Sequence, residues 1–185
     1  MRVIAGKFKS RPLKSLAGMD TRPTSDRLRE TLFNVLMAGN PAALEGSIWL
    51  DVFAGTGAVG IEAISRGAAS VTFVESSKAA ARLIRENLKS LGVGEGFEVL
   101  EQEAAKALPR FAAAFDYAFL DPPYRMHGAY EQMLKLLSES AALKVSSIVI
   151  AEHDKRFDPG ETFGILQRYR TLVQGDSALS SYRHK

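Results

Sequence analysis

No cysteine occurs anywhere in the 185 residues. Disulfides, thiolate metal sites and a cysteine nucleophile are thereby excluded. No apolar run approaches the roughly 20 residues that cross a bilayer, and no signal-peptide pattern opens the chain. The sequence therefore reads as cytoplasmic, with no membrane partner. Its three histidines, His127, His153 and His184, form no ligand-spaced set. They read as surface residues, and no metal is expected. Internal repeats, linkers and low-complexity stretches are missing as well.

What is present is an ordinary globular composition. Hydrophobic residues make up 46% and charged residues 24%, which suits a compact chain able to bury a real core. Net charge is only +3, yet it is uneven. Residues 1–30 carry eight basic side chains (Arg2, Lys7, Lys9, Arg11, Lys14, Arg22, Arg27, Arg29) against Asp20, Asp26 and Glu30. A basic start on a slightly acidic body fits a polyanion docked at one end. A solvated basic face fits the charge equally well.

The chain is organised around Asp51-Val52-Phe53-Ala54-Gly55-Thr56-Gly57-Ala58-Val59-Gly60. Before it, Ile48-Trp49-Leu50 reads as a short buried strand. After it, Ile61, Ala63 and Ile64 lead to Gly67, a helix with a glycine stop. A strand, a glycine-rich turn and a helix make a cradle for a nucleotide-like ligand, with backbone N–H groups inward and no Cβ in the way. Gly55-x-Gly57-x-x-Gly60 matches the dinucleotide fingerprint literally. Asp51 argues against a nicotinamide cofactor, because such a site has apolar residues there. A carboxylate suits the positive end of a different ligand.

The remainder reads as α/β. Residues 2–16 form a basic, hairpin-like arm turning near Gly6, whose Phe8 and Leu13 are too few for a core of its own. A helix follows, capped by Thr24, Ser25 or Asp26, with Leu28, Leu32, Val35 and Leu36 on one face. Strands and helices then alternate, as in a parallel sheet. Val71–Val74 closes at Glu75, and a helix runs from about Ser77 to Leu91. Phe97–Leu100 leads to Glu103 and Ala104, and Phe115–Leu120 ends at Asp121. A helix carries Tyr130, Met133, Leu134 and Leu137, and Ile148–Ala151 runs into Glu152. Thr162–Thr171 and Ala178–His184 flank Gln174-Gly175-Asp176 as a final hairpin. The expectation is a doubly wound, mostly parallel, seven-stranded sheet with a C-terminal antiparallel hairpin and a basic N-terminal hairpin arm. Residues 1–45 would dock the partner and 46–185 would form the main domain.

Ligands of such sheets bind beyond the carboxyl ends of the strands. Asp51, Glu75 and Asp121 would line that rim. Glu75 stands 20 residues beyond Gly55, the spacing at which a carboxylate can take two ribose hydroxyls. Glu103 and Ala104 could meet the edge and face of an adenine. Asp121-Pro122-Pro123-Tyr124 is the most specific signal. Neither proline offers an N–H and both fix φ, so the Pro122 carbonyl is expected as a rigid, unshared acceptor. With Asp121 it can accept both N–H bonds of an exocyclic amine. Tyr124 offers a flat face for an extruded base, worth about 1–3 kcal/mol.

With these residues the chain resembles a class I S-adenosylmethionine-dependent methyltransferase with a Rossmann-like sheet, of the group acting on planar exocyclic or amide nitrogens. Arg2-Val3-Ile4-Ala5-Gly6, Arg22-Pro23-Thr24-Ser25-Asp26-Arg27, Glu30-Thr31-Leu32-Phe33-Asn34 and Glu62-Ala63-Ile64-Ser65-Arg66-Gly67-Ala68 closely resemble the bacterial RsmD family. The likeness covers about residues 1–152. That family methylates the N2 of one guanine in small-subunit (16S) ribosomal RNA. The resemblance implies that Asp51, Gly55 and Gly57, with Phe53 in the same turn, hold the methionine end of S-adenosyl-L-methionine. It implies Glu75 at the ribose, Glu103 and Ala104 at the adenine, and Asp121, Pro122, Pro123 and Tyr124 at the target guanine. Ribosomal RNA, or a small-subunit assembly intermediate, would meet Arg2, Lys7, Lys9, Arg11, Arg22 and Arg27. A monomer is expected. Glu103 stands where the family more often has Asp. Gln174 and Ser181 replace expected aromatics, so no role is carried over to them. The missing cysteine also closes the covalent-adduct route common in methylation of pyrimidine carbons.

Four other readings stay open. A DNA or RNA adenine-N6 methyltransferase shares the tetrad, but the DNA enzymes usually add a target-recognition domain. Strands and helices over roughly residues 47–151 leave no room for one. A protein-glutamine methyltransferase shares Pro-Pro-Tyr, usually after Asn. A non-catalytic ribosome-assembly binder could keep the fold. A nicotinamide oxidoreductase leaves Pro122-Pro123 unexplained.

Overall fold

The computed structural model describes residues 1–15, 25–112 and 115–185. Arg22 and Thr24 lie outside them. The centre is β1 (Ile48–Val52), whose side chains alternate between two buried faces. Trp49 joins one apolar cluster, while Leu50 and Val52 join the other. Burial on both faces is the mark of a parallel strand covered by helices. It pairs in parallel with β2 (Ser70–Glu75) and β4 (Phe115–Leu120), which pair in parallel with β3 (Phe97–Glu101) and β5 (Leu143–Asp154) in turn. The chain then turns back through β6 (Thr162–Phe163), β7 (Leu166–Gln174) and β8 (Ser177–His184), all antiparallel.

The order is β3-β2-β1-β4-β5-β8-β7-β6, one sheet of eight strands. Seven were expected because Thr162–Thr171 read as one strand. Gly164, at a φ of 51°, turns the chain there and leaves the two-residue β6 beside β7. The direction of winding changes between β1 and β4, which opens a crevice beyond their carboxyl ends.

Helices α1 (Asp26–Leu36), α2 (Ala58–Ser65) and α3 (Lys78–Ser90) cover one face, contributing Leu32, Phe33, Ile61 and Ile84 to its cluster. α4 (Ala104–Ala107) and α5 (His127–Glu139) cover the other through Ala104, Tyr130, Met133 and Leu134. Ser25 caps α1, its hydroxyl oxygen accepting the Leu28 N–H at 3.1 Å. Ser77 caps α3 by accepting from Ala80 at 3.4 Å. A cap of this kind is worth about 1 kcal/mol.

The arm is hairpin-like, as expected: the N–H groups of Leu13, Val3 and Ser10 donate to the Met1, Arg11 and Val3 carbonyls, about an antiparallel bridge of Arg2 to Pro12 and a 3-10 turn over Gly6–Phe8. Side chains of α2 hold it to the main sheet. Glu62 accepts from Ile4 and Ala5, and the Ser65 hydroxyl accepts from Phe8. Val3, Phe8 and Leu13 sink into the same cluster as Leu28, Leu32 and Phe33. At Gly6 the backbones approach so closely that a Cβ would sit 1.9 Å from the Ser65 carbonyl oxygen.

His153 also departs from the surface role read in the sequence. It is buried, held by the Ser180 hydroxyl at 2.9 Å, and burial pushes its pKa below the ordinary value. His127 is exposed and stacks on Phe157. Among the described residues no helix is long and apolar enough to cross a membrane. No group of three or more His, Asp or Glu among them could hold a metal ion.

Candidate active site

Between β1 and α2 three residues take left-handed backbone: Phe53 (φ 60°), Gly55 (54°) and Gly57 (75°). Glycine takes this freely at two of them, whereas Phe53 does so at a cost. Gly60 serves differently. A Cβ there would come within 2.3 Å of the Phe73 ring, so this glycine lets α2 lie against β2.

Two carboxylates hold the turn. Glu75 accepts the Gly55 N–H through Oε2 and the Ser77 N–H through Oε1, both at 2.8 Å. Asp51, only 2% exposed, accepts the Gly60 N–H at 2.9 Å. Burial raises the Asp51 pKa to about 7, against the pull of the Gly60 bond and with the help of the Glu75 charge. Its charge therefore changes near neutrality, where a docked cation would displace its proton.

The tetrad lies across the crevice from this turn. The Asp121 N–H donates to the Val52 carbonyl at 3.3 Å, which fixes the end of β4 beside the end of β1. The Pro122 carbonyl is not unshared as expected. The buried Tyr130 hydroxyl lies 3.4 Å from it, and donates more closely to the Glu152 carbonyl, at 2.9 Å. Tyr124 is half-buried, its hydroxyl 2.9 Å from the Ser177 hydroxyl and 3.4 Å from Glu152 Oε1. Burial pushes its pKa up to about 12, so it stays a phenol at neutral pH. A cavity of about 290 Å³ opens here, lined by Ser25, Tyr124, Glu152, Gln174 and Ser177. That lies just under the roughly 300–1,000 Å³ of ligand pockets.

The outlying expected residues are placed as follows. Ala104 is buried at the start of α4, while Glu103 is exposed and paired with Lys106 at 2.9 Å. Arg2, Lys7, Lys9, Arg11 and Arg27 are all exposed, none of them on the cavity wall. Arg11 donates to the Ser90 carbonyl at 2.9 Å, and Arg2 lies 3.8 Å from Asp26.

Sequence reasoning missed Glu152, Ser177 and Asn87. Buried Asn87 donates to the Thr56 and Lys14 carbonyls and accepts the Lys14 N–H at 2.9 Å, tying the arm to the glycine turn. Its signal was a polar residue in helical phase with Leu83, Ile84 and Leu88. Glu152 and Ser177 had none, because strands remote in sequence bring them together.

Residues 1–183 match the family model described as Conserved hypothetical protein 95. The chain is 40% identical over 158 residues to ribosomal RNA small subunit methyltransferase D of Haemophilus influenzae, covering 84% of this chain and 79% of that one. It is 36% identical over 188 residues to YlbH of Bacillus subtilis, across the whole of both. The solved structure of Escherichia coli yhhF superposes with a TM-score of 0.87 at 29% identity, over 100% of this chain and 98% of that one. The fold is that of the class I methyltransferases, and the chain belongs to the Conserved hypothetical protein 95 family, the RsmD family.

Proposed function

We propose that the protein transfers a methyl group from S-adenosyl-L-methionine to the exocyclic N2 amine of a guanine in small-subunit (16S) ribosomal RNA. The observation that carries the reading is the Asp121-Pro122-Pro123-Tyr124 tetrad, fastened to the glycine turn through the Asp121 N–H and the Val52 carbonyl. A cavity of about 290 Å³ adjoins it, with Tyr124 on its wall. The name of the Haemophilus influenzae relative supports ribosomal RNA as substrate.

The residues fit this cofactor. Gly55 and Gly57 keep Cβ atoms out of the turn. Glu75 spends one lone pair of each oxygen on the loop and keeps acceptor capacity for ribose hydroxyls. Asp51 gains its charge where an ammonium would dock. Ala104 offers a small face toward an adenine, with Glu103 beside it. When bound, S-adenosylmethionine supplies an electrophilic methyl group on a sulfonium.

The protein's own part is to hold the amine and exclude water. The Asp121 carboxylate and the Pro122 carbonyl accept its two N–H bonds, which draws the nitrogen lone pair out of conjugation with the ring. Tyr124 stacks on the extruded base. Holding the reactants in place and stabilising developing charge supply the acceleration, with no covalent enzyme intermediate. Arg2, Lys7, Lys9, Arg11, Arg22 and Arg27 neutralise phosphates of the RNA.

Calorimetry with S-adenosylmethionine and NAD tests the cofactor; NAD binding without adenosylmethionine binding would overturn the reading. Labelled methyl transfer to small-subunit RNA from cells lacking the protein, against RNA from cells that have it, tests the substrate. Label is expected only in the former.

A further inference from the structure

We propose that the C-terminal hairpin of β7 and β8 is a second RNA-docking surface, on which Arg170 and Arg183, the latter held by Tyr169, grip phosphates of the strand that leads to the cavity. The inference rests on the ribosomal-RNA reading above and gives the hairpin a part in it.

The register of the sheet brings these side chains together. Directly paired residues share a face, and so do residues two apart along one strand. Ile150 of β5, in the cluster beneath α1, pairs with Ser181 of β8, and Ser181 pairs with Arg170 of β7. Arg183, two residues beyond Ser181, is on that face as well, and its guanidinium lies 5.1 Å from the centre of the Tyr169 ring. Tyr169 and Arg170 are consecutive, and a regular strand would send them to opposite faces. The register shift between Arg168 and Arg170, a bulge, turns both the same way. All three side chains are exposed. Leu172 and Gln174 continue the same face through their pairs with Leu179 and Ser177, and Gln174 lines the cavity beside Tyr124. From Arg170 to Gln174 is roughly 13 Å of strand.

Charge completes the case. Arg168, on the other face, is neutralised by Asp158 and Glu161. Among the described residues no carboxylate forms an ion pair with Arg170 or Arg183. From Thr162 to Lys185 the sole acidic residue is Asp176, in the hairpin turn, and it pairs with Lys155 at 3.1 Å. The Tyr169 ring engages the flat face of the Arg183 guanidinium, which leaves the N–H groups at its edge free to donate. Such a fork matches a phosphate's oxygens in pairs. A strand whose base enters the cavity would lay its flanking backbone along this face.

The test measures affinity for small-subunit RNA, taken from cells lacking the protein, across a range of salt. Arg170→Gln with Arg183→Gln should flatten the slope of log affinity against log salt by roughly 0.7–0.9 for each phosphate released, with cofactor affinity unchanged. Arg170→Lys with Arg183→Lys keeps both charges and should keep most of the slope. Lys135→Gln, an exposed charge on α5 across the sheet, should leave it as it is. A wild-type slope in the glutamine pair overturns the proposal, and so does an equal loss in Lys135→Gln. A second measurement needs no variant: bound RNA should shield Arg170 and Arg183 of the wild type from modification by phenylglyoxal. Full modification of both in the complex also overturns the proposal. A wild-type protein without affinity for the RNA at any salt would instead count against the ribosomal-RNA reading, and the hairpin surface would fall with it.

Discussion

Glu62 Oε2 accepts the N–H of Ile4 at 2.8 Å. Glu62 is fully buried in α2, and its other oxygen accepts from Ala5 at 2.9 Å and from Arg66 at 2.8 Å. Buried Arg29 lies 3.9 Å away and donates to the Arg2 carbonyl. One carboxylate thus anchors the basic arm to the helix that leaves the glycine turn. Glu62→Ala should cost about 3–5 kcal/mol, because it strands the nearly buried guanidinium of Arg66, whereas Arg29 keeps Asp26 at 2.9 Å. Glu62→Gln keeps an acceptor and should cost less. Urea unfolding midpoints measure both, and equal small losses would contradict this role.

The arm's burial changes how its RNA binding must be tested. Deleting residues 1–16 would strip Val3, Phe8 and Leu13 from the core, so charge removal is the cleaner change. Lys7→Gln with Lys9→Gln should reduce the dependence of log affinity on log salt by roughly 0.7–0.9 for each phosphate no longer neutralised. Cofactor affinity should not move. An unchanged salt slope would make these lysines a solvated face.

Asp51 predicts a pH dependence. Its pKa rises from the ordinary 3.8 to about 7, so the fold favours the neutral carboxyl. That stability is complete below about pH 4 and is lost as pH rises through about 7. Asp51→Asn, still able to accept from Gly60, should lose less stability than wild type between pH 5 and 8, a range of about three units around that pKa. Binding of an ammonium-bearing cofactor favours the carboxylate, so wild-type affinity should rise toward pH 7 with proton release. Thermal melts and calorimetry in two buffers check both signs; a pH-independent affinity would remove Asp51 from the cofactor site.

The tetrad's roles separate by substitution. Asp121→Asn keeps one acceptor and should retain measurable turnover. Asp121→Ala should lose about 10²–10³ in turnover, the scale of one deleted transition-state partner. Tyr124→Phe keeps the stacking face and gives up only the hydroxyl's approach to Ser177 and Glu152, so it should be mild. Tyr124→Ala should lose about 1–3 kcal/mol of stacking. Single-turnover transfer measures all four. Asp121→Asn as inactive as Asp121→Ala, with Tyr124→Ala silent, would contradict the assignment.

The elements legible in the sequence were those set by local chemistry. Ser25 and Ser77 cap their helices, Gly55, Gly57 and Gly60 shape the turn, and Pro122-Pro123 close β4. What stayed hidden depends on contacts between distant segments. The hairpin form of the arm was legible, but its anchorage was not, because nothing near it announces Glu62, 58 residues from Ile4. Pro122 looked unshared because Tyr130 belongs to the following helix. Glu152 meets Ser177 only because β8 pairs back onto β5, and no local pattern encodes that register.

The most direct measurement is nucleoside mass analysis of small-subunit RNA from a strain lacking this protein, before and after incubation with it and S-adenosylmethionine. The expected result is a single gain of N2-methylguanosine at one position, abolished by Asp121→Ala. A methyl group on adenine N6, or on protein with the RNA unchanged, would contradict the assignment of guanine N2 to this site.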